Sequence, residues 1–277
     1  MTPFSNNMPK DNTDLRHALY AGEIFRIPAT PESLKAVAYA NKHLAASMGN
    51  PTETAHTRMT EKELLDTMRK IRNAIIEDKM AQSLVRSMIE SAGFLPSDNT
   101  FDVMRVRAVM PKGHNNSSLK RSYSVHRDTW YANPQCQINW WIALHDVPED
   151  RAFSFYPEHF EKPVKNDSDL FDYNDWMQTV GWQNTRGQGD VPYPYALNCP
   201  PKTERTSFSC NVGDIILFSS AHLHGTNPNE TNLCRFSLDF RTVHLEDHKN
   251  GKGAPNVDND STPDALHDYI MPERTAA

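Results

Sequence analysis

His126 and Asp128 form a His-x-Asp pair within YSVHRDTWY. If that stretch is a strand, residues i and i+2 share a face, and both side chains can reach one metal ion. The pair alone selects nothing, because 12 histidines among 277 residues with 35 acids give about 1.5 His-x-acid pairs from composition. Three occur: His126/Asp128, His159/Glu161 and His244/Glu246. A second segment makes the choice. In GDIILFSSAHLHG, His224 closes an apolar run, Arg235 stands eleven residues further on, and Ser237 lies two beyond that. Two histidines and one carboxylate leave three positions open on an iron(II) ion, enough for a chelating cosubstrate and dioxygen. Arg235 and Ser237, on one face of the following strand, suit charge-assisted hydrogen bonds to a distant carboxylate. His159 opens a long insertion and His244 follows the arginine, so neither rival has such a successor. His222 would share the strand face of His224, and is the alternative ligand or a supporting residue.

These residues need elements to hold them. From Phe101 the chain reads as short β-prone runs, FDVMRVRAVM, YSVHRDTWY, CQINWWIALHDV, AFSFYP, TSFSC, DIILFSSAHLHG and CRFSLDFRTVHL, with turn residues between them. Seven strands without intervening helical periodicity predict an antiparallel sandwich or barrel, a mainly β fold. Residues 1–95 are expected to be largely helical. Thr30-Pro31 opens a helix to about Ser47, and the Thr60/Glu63 capping box opens one that continues to Gly93, with Met68, Met80 and Met88 in the core. The 158–206 insertion, with Trp176, Trp182, Tyr193 and Tyr195, reads as a lid or binding element. With a polar tail at 246–277 and no composition break, the whole of 1–277 reads as one domain.

Alternation along the strands nominates further inward residues. Arg105 and Arg107 share a face of the first strand and could hold a carboxylate of substrate or cosubstrate. Arg241 lies on the face of Arg235, Ser237 and Asp239, with a salt bridge to Asp239 as a competing role. Gln137 and Asn139 share a face of CQINWWIAL, where inward amides would hydrogen-bond inside the barrel and outward ones would meet solvent. Trp130 and Tyr131 follow Asp128 directly and are candidates for the substrate mouth.

Taken together, His126-Arg127-Asp128, Trp141-Ile142-Ala143-Leu144 with Asp146, Phe155-Tyr156-Pro157-x-His159, and Gly213-Asp214 through His224-Gly225-Thr226 and Asn229 to Arg235 resemble the phytanoyl-CoA dioxygenase-like branch of the Fe(II)/2-oxoglutarate-dependent dioxygenases. The resemblance spans roughly residues 101–245. It implies a double-stranded β-helix (a jelly roll or cupin-like barrel) with N-terminal flanking helices. It also implies Fe(II) on His126, Asp128 and His224, and 2-oxoglutarate anchored by Arg235, with Thr226 and Trp141 as further contacts. Dioxygen would be the oxidant, ascorbate a reductant in vitro, and succinate and CO2 the coproducts. Asp128 argues against halogenation, because halogenating relatives commonly lack that carboxylate. The resemblance departs at Pro157-Glu158-His159, where the family often has Pro-Gly-Ser-His.

Composition sets outer bounds. The net charge is −6, and residues 246–277 carry seven acids against three bases, so most of it sits there. No basic cluster suggests nucleic acid, and no apolar run approaches the length of a membrane span. Neither a secretory signal nor a CxxC pair is present, which points to a cytoplasmic protein with reduced thiols. The partner expected is a small polar or anionic metabolite, since Arg and amide side chains point inward. Two other classes compete: a cupin-like metalloenzyme without 2-oxoglutarate, which needs no anchoring arginine, and a non-catalytic jelly-roll binding module, which needs no intact ligand set.

Overall fold

The computed structural model describes residues 4–116, 119, 123–179 and 193–272. Trp182 of the expected lid lies outside them. Four helices occupy the N-terminal third: α1 (Asn12–Tyr20), α2 (Pro31–Met48), α3 (Glu61–Glu77) and α4 (Lys79–Ser91). Thr30 and Ser33 cap α2 reciprocally behind Pro31, and Thr60 and Glu63 do the same for α3. Such caps satisfy amides that the first helical turn leaves unpaired. The single long helix expected from Thr60 is in fact two. Asp78 leaves helical geometry and receives the Met80 amide, ending α3 and starting α4. The break carries Met80 to the surface, at 56% exposure, while Met68 and Met88 are buried as expected.

Among the described residues nine strands follow the chain order β1 (Phe4–Ser5), β2 (Ile24–Ile27), β3 (Asn99–Phe101), β4 (Arg105–Val109), β5 (Gln137–Ala143), β6 (Phe153–Phe155), β7 (Ile215–Ser219), β8 (His224–Thr226) and β9 (Arg235–His244). Seven form one sheet in the order β1-β2-β7-β5-β9-β3, with β4 also paired to β9; β6 and β8 form a second. The fold is therefore mixed, sheet-rich but with extensive helix, rather than mainly β. The expected N-terminal helices also include strand β2, which pairs with β7.

Strand β5 is buried along its whole length because both faces of the large sheet are covered. Ile138, Trp140 and Ile142 meet Leu217, Leu238 and Phe240 and the helices on one side. Trp140 stacks on Phe240 at 5.1 Å and meets Phe94 edge-on at 5.4 Å. Alternate residues face the second sheet, where Trp141, Phe153, Phe155, Phe208 and Phe218 form a separate aromatic core. The antiparallel register places Ala143 opposite Ser237, Trp141 opposite Asp239 and Asn139 opposite Arg241 on this inner face. Arg107 lies opposite Ser237 from the other side of β9.

Two expected strands are not strands. His126 forms only an isolated bridge to His224, and Asp128 starts a 3-10 turn whose amide binds the Ser220 carbonyl. TSFSC reduces to bridges at Thr206 and Cys210. Residues 246–272 are polar but not a free tail. Helix α6 (Leu245–Lys249) leads into a segment that returns across the molecule, with Ala265 binding the Ala132 carbonyl and Ile270 pairing with Phe101. Within the insertion, α5 (Tyr173–Thr179) packs Tyr173 and Trp176 with Phe171. No helix among the described residues is long and apolar enough to cross a membrane.

Candidate metal and dicarboxylate site

The bridge between His126 and His224 sets two imidazoles side by side, with ring centroids 4.5 Å apart. Each Nδ1 lies 2.9 Å from the carbonyl two residues earlier, Ser124 for His126 and His222 for His224. A carbonyl only accepts, so each Nδ1 carries the proton and each Nε2 presents a lone pair. Both lone pairs point to Asp128, whose Oδ1 is 3.3 Å from His126 Nε2 and 3.9 Å from His224 Nε2. One ligand atom from each of the three residues fits within a 4.8 Å span, the dimension of a metal site. Burial and then the neighbouring His126 lower the His224 pKa to about 4, so it is a neutral donor near pH 7. Burial alone would raise the Asp128 carboxyl. The neighbouring His126 and the charge of Arg241 overcome it and hold the group well below the usual carboxylate range.

The other oxygen of Asp128 is already engaged. Asn139 Nδ2 donates to Oδ2 at 2.8 Å, and Arg241 Nε lies 3.8 Å away. Gln137 Nε2 supports Asn139 Oδ1 at 2.9 Å. Both amides thus face inward, on the ligand carboxylate rather than on substrate. Arg241 also binds Asp102 at 2.9 Å, so it lies between two carboxylates instead of reaching freely into the pocket or bridging to Asp239.

Arg235 and Ser237 stand on β9, further along the inner face. Arg235 is 4% exposed, with its guanidinium 5.7 Å from the Trp141 ring, and burial lowers its pKa to about 10. Its Nε and Nη1 and the Ser237 hydroxyl are buried without a hydrogen-bond partner. A buried cation left this way is costly unless a ligand completes it. A carboxylate is the acceptor that matches this donor set, so the residues present fit the distal end of a dicarboxylate chelated at the triad. Thr226 lies on β8 two positions past His224, opposite Phe153.

The remaining candidates divide. Arg107 forms a two-pronged pair with Asp239, at 2.6 and 3.4 Å, and stays partly exposed. Tyr131 packs 5.3 Å from His126 and 5.6 Å from Tyr193, forming an aromatic wall beside the triad. Arg105 is committed to Asp102 at 2.5 Å and to the Val103 carbonyl, as a structural ion pair rather than an open ligand group. Trp130 corrects the mouth-lining expectation. It is fully buried, and its Nε1 donates to Asp258 at 2.8 Å. The 3-10 turn at Asp128 causes this, because it replaces the strand alternation that the expectation assumed. His222 turns its Nε2 to the Gly22 carbonyl at 3.1 Å and is not a ligand. His159 pairs with Glu204, and His244 caps α6.

Three residues beside the site carried no readable signal. Asp102 binds Arg105 and Arg241 together. Asn133 Nδ2 holds the Asp128 carbonyl at 2.8 Å. Arg72, on α3, faces Arg107, Asp239 and Tyr193 where α3 packs on β4, and burial followed by the Arg107 charge lowers its pKa to about 10. Its side chain donates to the Met68 carbonyl and forms no ion pair among the described residues.

A two-histidine, one-carboxylate triad with an unsatisfied buried arginine beyond it defines a metal site built to take a dicarboxylate. The phytanoyl-CoA dioxygenase (PhyH) family model matches residues 21–237, and the chain belongs to that family, one of iron- and 2-oxoglutarate-dependent enzymes. No curated protein matches the chain. Similar solved structures include EvdO2 from Micromonospora carbonacea var. aurantiaca, with 13% identity and a TM-score of 0.47, covering 88% of this chain and 94% of that one. The non-heme monooxygenase ThoJ in its nickel complex gives 15% identity and a TM-score of 0.46 over 83% and 77% of the two chains. The alpha-ketoglutarate-dependent epimerase SnoN gives 17% and 0.43 over 96% and 99%.

Proposed function

We propose that this chain is an iron(II)- and 2-oxoglutarate-dependent hydroxylase of a small acidic metabolite, working as one domain with a double-stranded β-helix at its centre. The observation that carries the reading is the pair of orphaned groups, Arg235 and Ser237, on the face of β9 turned toward the second sheet, whose strand β8 carries His224. Neither a cupin without 2-oxoglutarate nor a metal-free binding module has a use for them. The reaction balances as substrate C–H, O2 and 2-oxoglutarate giving substrate C–OH, succinate and CO2. Bound iron would supply the activation of dioxygen coupled to that decarboxylation. His126, Asp128 and His224 would hold the metal. Arg235 and Ser237 would orient the cosubstrate by its far carboxylate, with Trp141 and Thr226 shaping that end. Tyr131, with Tyr193, would exclude water from the substrate side, and Arg241 would keep Asp128 ionised.

The acidic substrate follows from charge. Arg105 and Arg241 share Asp102, Arg107 has Asp239, and Arg72 forms no ion pair among the described residues, so this cluster keeps a positive excess while Asp128 serves the metal. The test is succinate release from 2-oxoglutarate with Fe(II), ascorbate and a panel of small acids and their neutral amides. Turnover is expected with acids and absent in His126→Ala; equal metal-dependent turnover by wild type and His126→Ala would overturn the reading. In Arg72→Ala, KM for the acidic substrate is expected to rise about tenfold, the loss of one charge-assisted contact. KM for 2-oxoglutarate should stay unchanged, and a rise in both would mean that Arg72 is structural.

A further inference from the structure

The carboxylate of Asp128 sits at one end of a hydrogen-bond chain whose other end lies 141 positions away in the sequence. Asp128 Oδ2 accepts from Asn139 Nδ2, and Asn139 Oδ1 accepts from Gln137 Nε2. Gln137 Oε1 accepts from the Tyr269 hydroxyl. The four residues are 6%, 5%, 0% and 7% exposed, so the chain runs through the protein interior. The direction of the chain is fixed from the carboxylate end. An ionised carboxylate only accepts, so Asn139 must present its NH2, its carbonyl must receive the Gln137 NH2, and the Gln137 carbonyl must receive a donor. Burial and the nearby Asp102 keep the Tyr269 hydroxyl protonated, so it is a permanent donor.

We propose that Tyr269 is a positioning residue of the metal centre, setting through Gln137 and Asn139 the angle at which the Asp128 carboxylate faces the metal. Without the Tyr269 donor, Gln137 loses the partner that holds its amide in the donating orientation, and Asn139 in turn loses its own. The Asp128 carboxylate would then be free to turn about its Cβ–Cγ bond, away from the angle at which it faces His126 and His224. Tyr269 lies beyond residue 237, where the family match ends. It also lines a cavity of about 440 Å³ together with Asp102, Arg105, Asn133 and Tyr173.

The inference rests on the metal-site reading, and one titration separates the two. Co(II) is added to the full-length protein, and affinity and the ligand-field absorption spectrum are recorded for wild type, Tyr269→Phe, Asn139→Leu and the double variant. Tyr269→Phe is expected to bind Co(II) about tenfold more weakly, with an altered spectrum and a near-wild-type Tm, the size usual for an outer partner of a ligand. In the Asn139→Leu background the same substitution should have no further effect, because the link is already cut. Wild-type affinity and spectrum in Tyr269→Phe, or additive losses in the double variant, would overturn the proposal. If Tyr269→Phe does not fold, Gln137→Met serves in its place with the same outcomes. Failure of the wild type to bind Co(II) sinks the metal-site reading itself.

Discussion

At the scale of single residues, the site is divided between groups that are satisfied and groups that are not. The triad is held by backbone carbonyls, an amide and an arginine, whereas Arg235 and Ser237 wait for a ligand. Arg235→Met keeps the volume and the Trp141 contact but removes a buried charge without a partner. Free of ligand, the variant is expected to be more stable by about 1–3 kcal/mol, read as a higher Tm. Its 2-oxoglutarate affinity should fall by at least about 100-fold, the worth of a buried charge-assisted pair. An unchanged affinity would show that Arg235 is not the anchor. His224 and Arg235 are legible in the sequence because the consecutive strands β8 and β9 set their spacing, and His126 and Asp128 because a His-x-Asp pair keeps both side chains close even at a bridge followed by a 3-10 turn. Trp130 is not, since its direction depends on a 3-10 turn that a strand pattern conceals, and Asp102, Arg72 and Tyr269 reach the site only through tertiary packing.

At the scale of elements, the caps of α2 and α3 and the inner face of β5 and β9 follow from local sequence rules. The break at Asp78 overrides a periodicity that continues through it, since one residue can serve as both C-cap and N-cap. The loops around the site rely on an unusual tie. Arg127 donates to the carbonyls of His159, Lys162 and Ala221 and pairs with Asp258, which also receives Trp130 and the Val164 amide. Asp258→Ala is expected to cost about 3–5 kcal/mol, because it strands a buried guanidinium. Chemical denaturation would show this as a lower midpoint with an unchanged slope. A midpoint equal to wild type would mean that the carbonyls alone satisfy Arg127.

At the scale of the whole molecule, the global sign of charge misleads, because acids crowd residues 246–277 while cations gather around the pocket. Stability should follow the buried histidines instead. Burial lowers His222 to about 3 and His224 to about 4, both below the usual value of 6.5. Between pH 6.5 and about 4 the unfolded chain binds the protons, so the metal-free protein should lose stability as pH falls, by up to about 1.4 kcal/mol per unit for each histidine. Above pH 7 neither contributes. A flat midpoint across that range in denaturant would contradict the burial of both.

Arg127 stands between the two ligands His126 and Asp128 and points away from them, gripping two separate stretches of backbone, 159–162 and Ala221. Turning either ligand would mean pulling that anchor from its seat. The cavity that receives the ion is therefore cast before the ion arrives, and the pace of capture should be governed by how quickly the metal sheds its water rather than by any rearrangement of the protein.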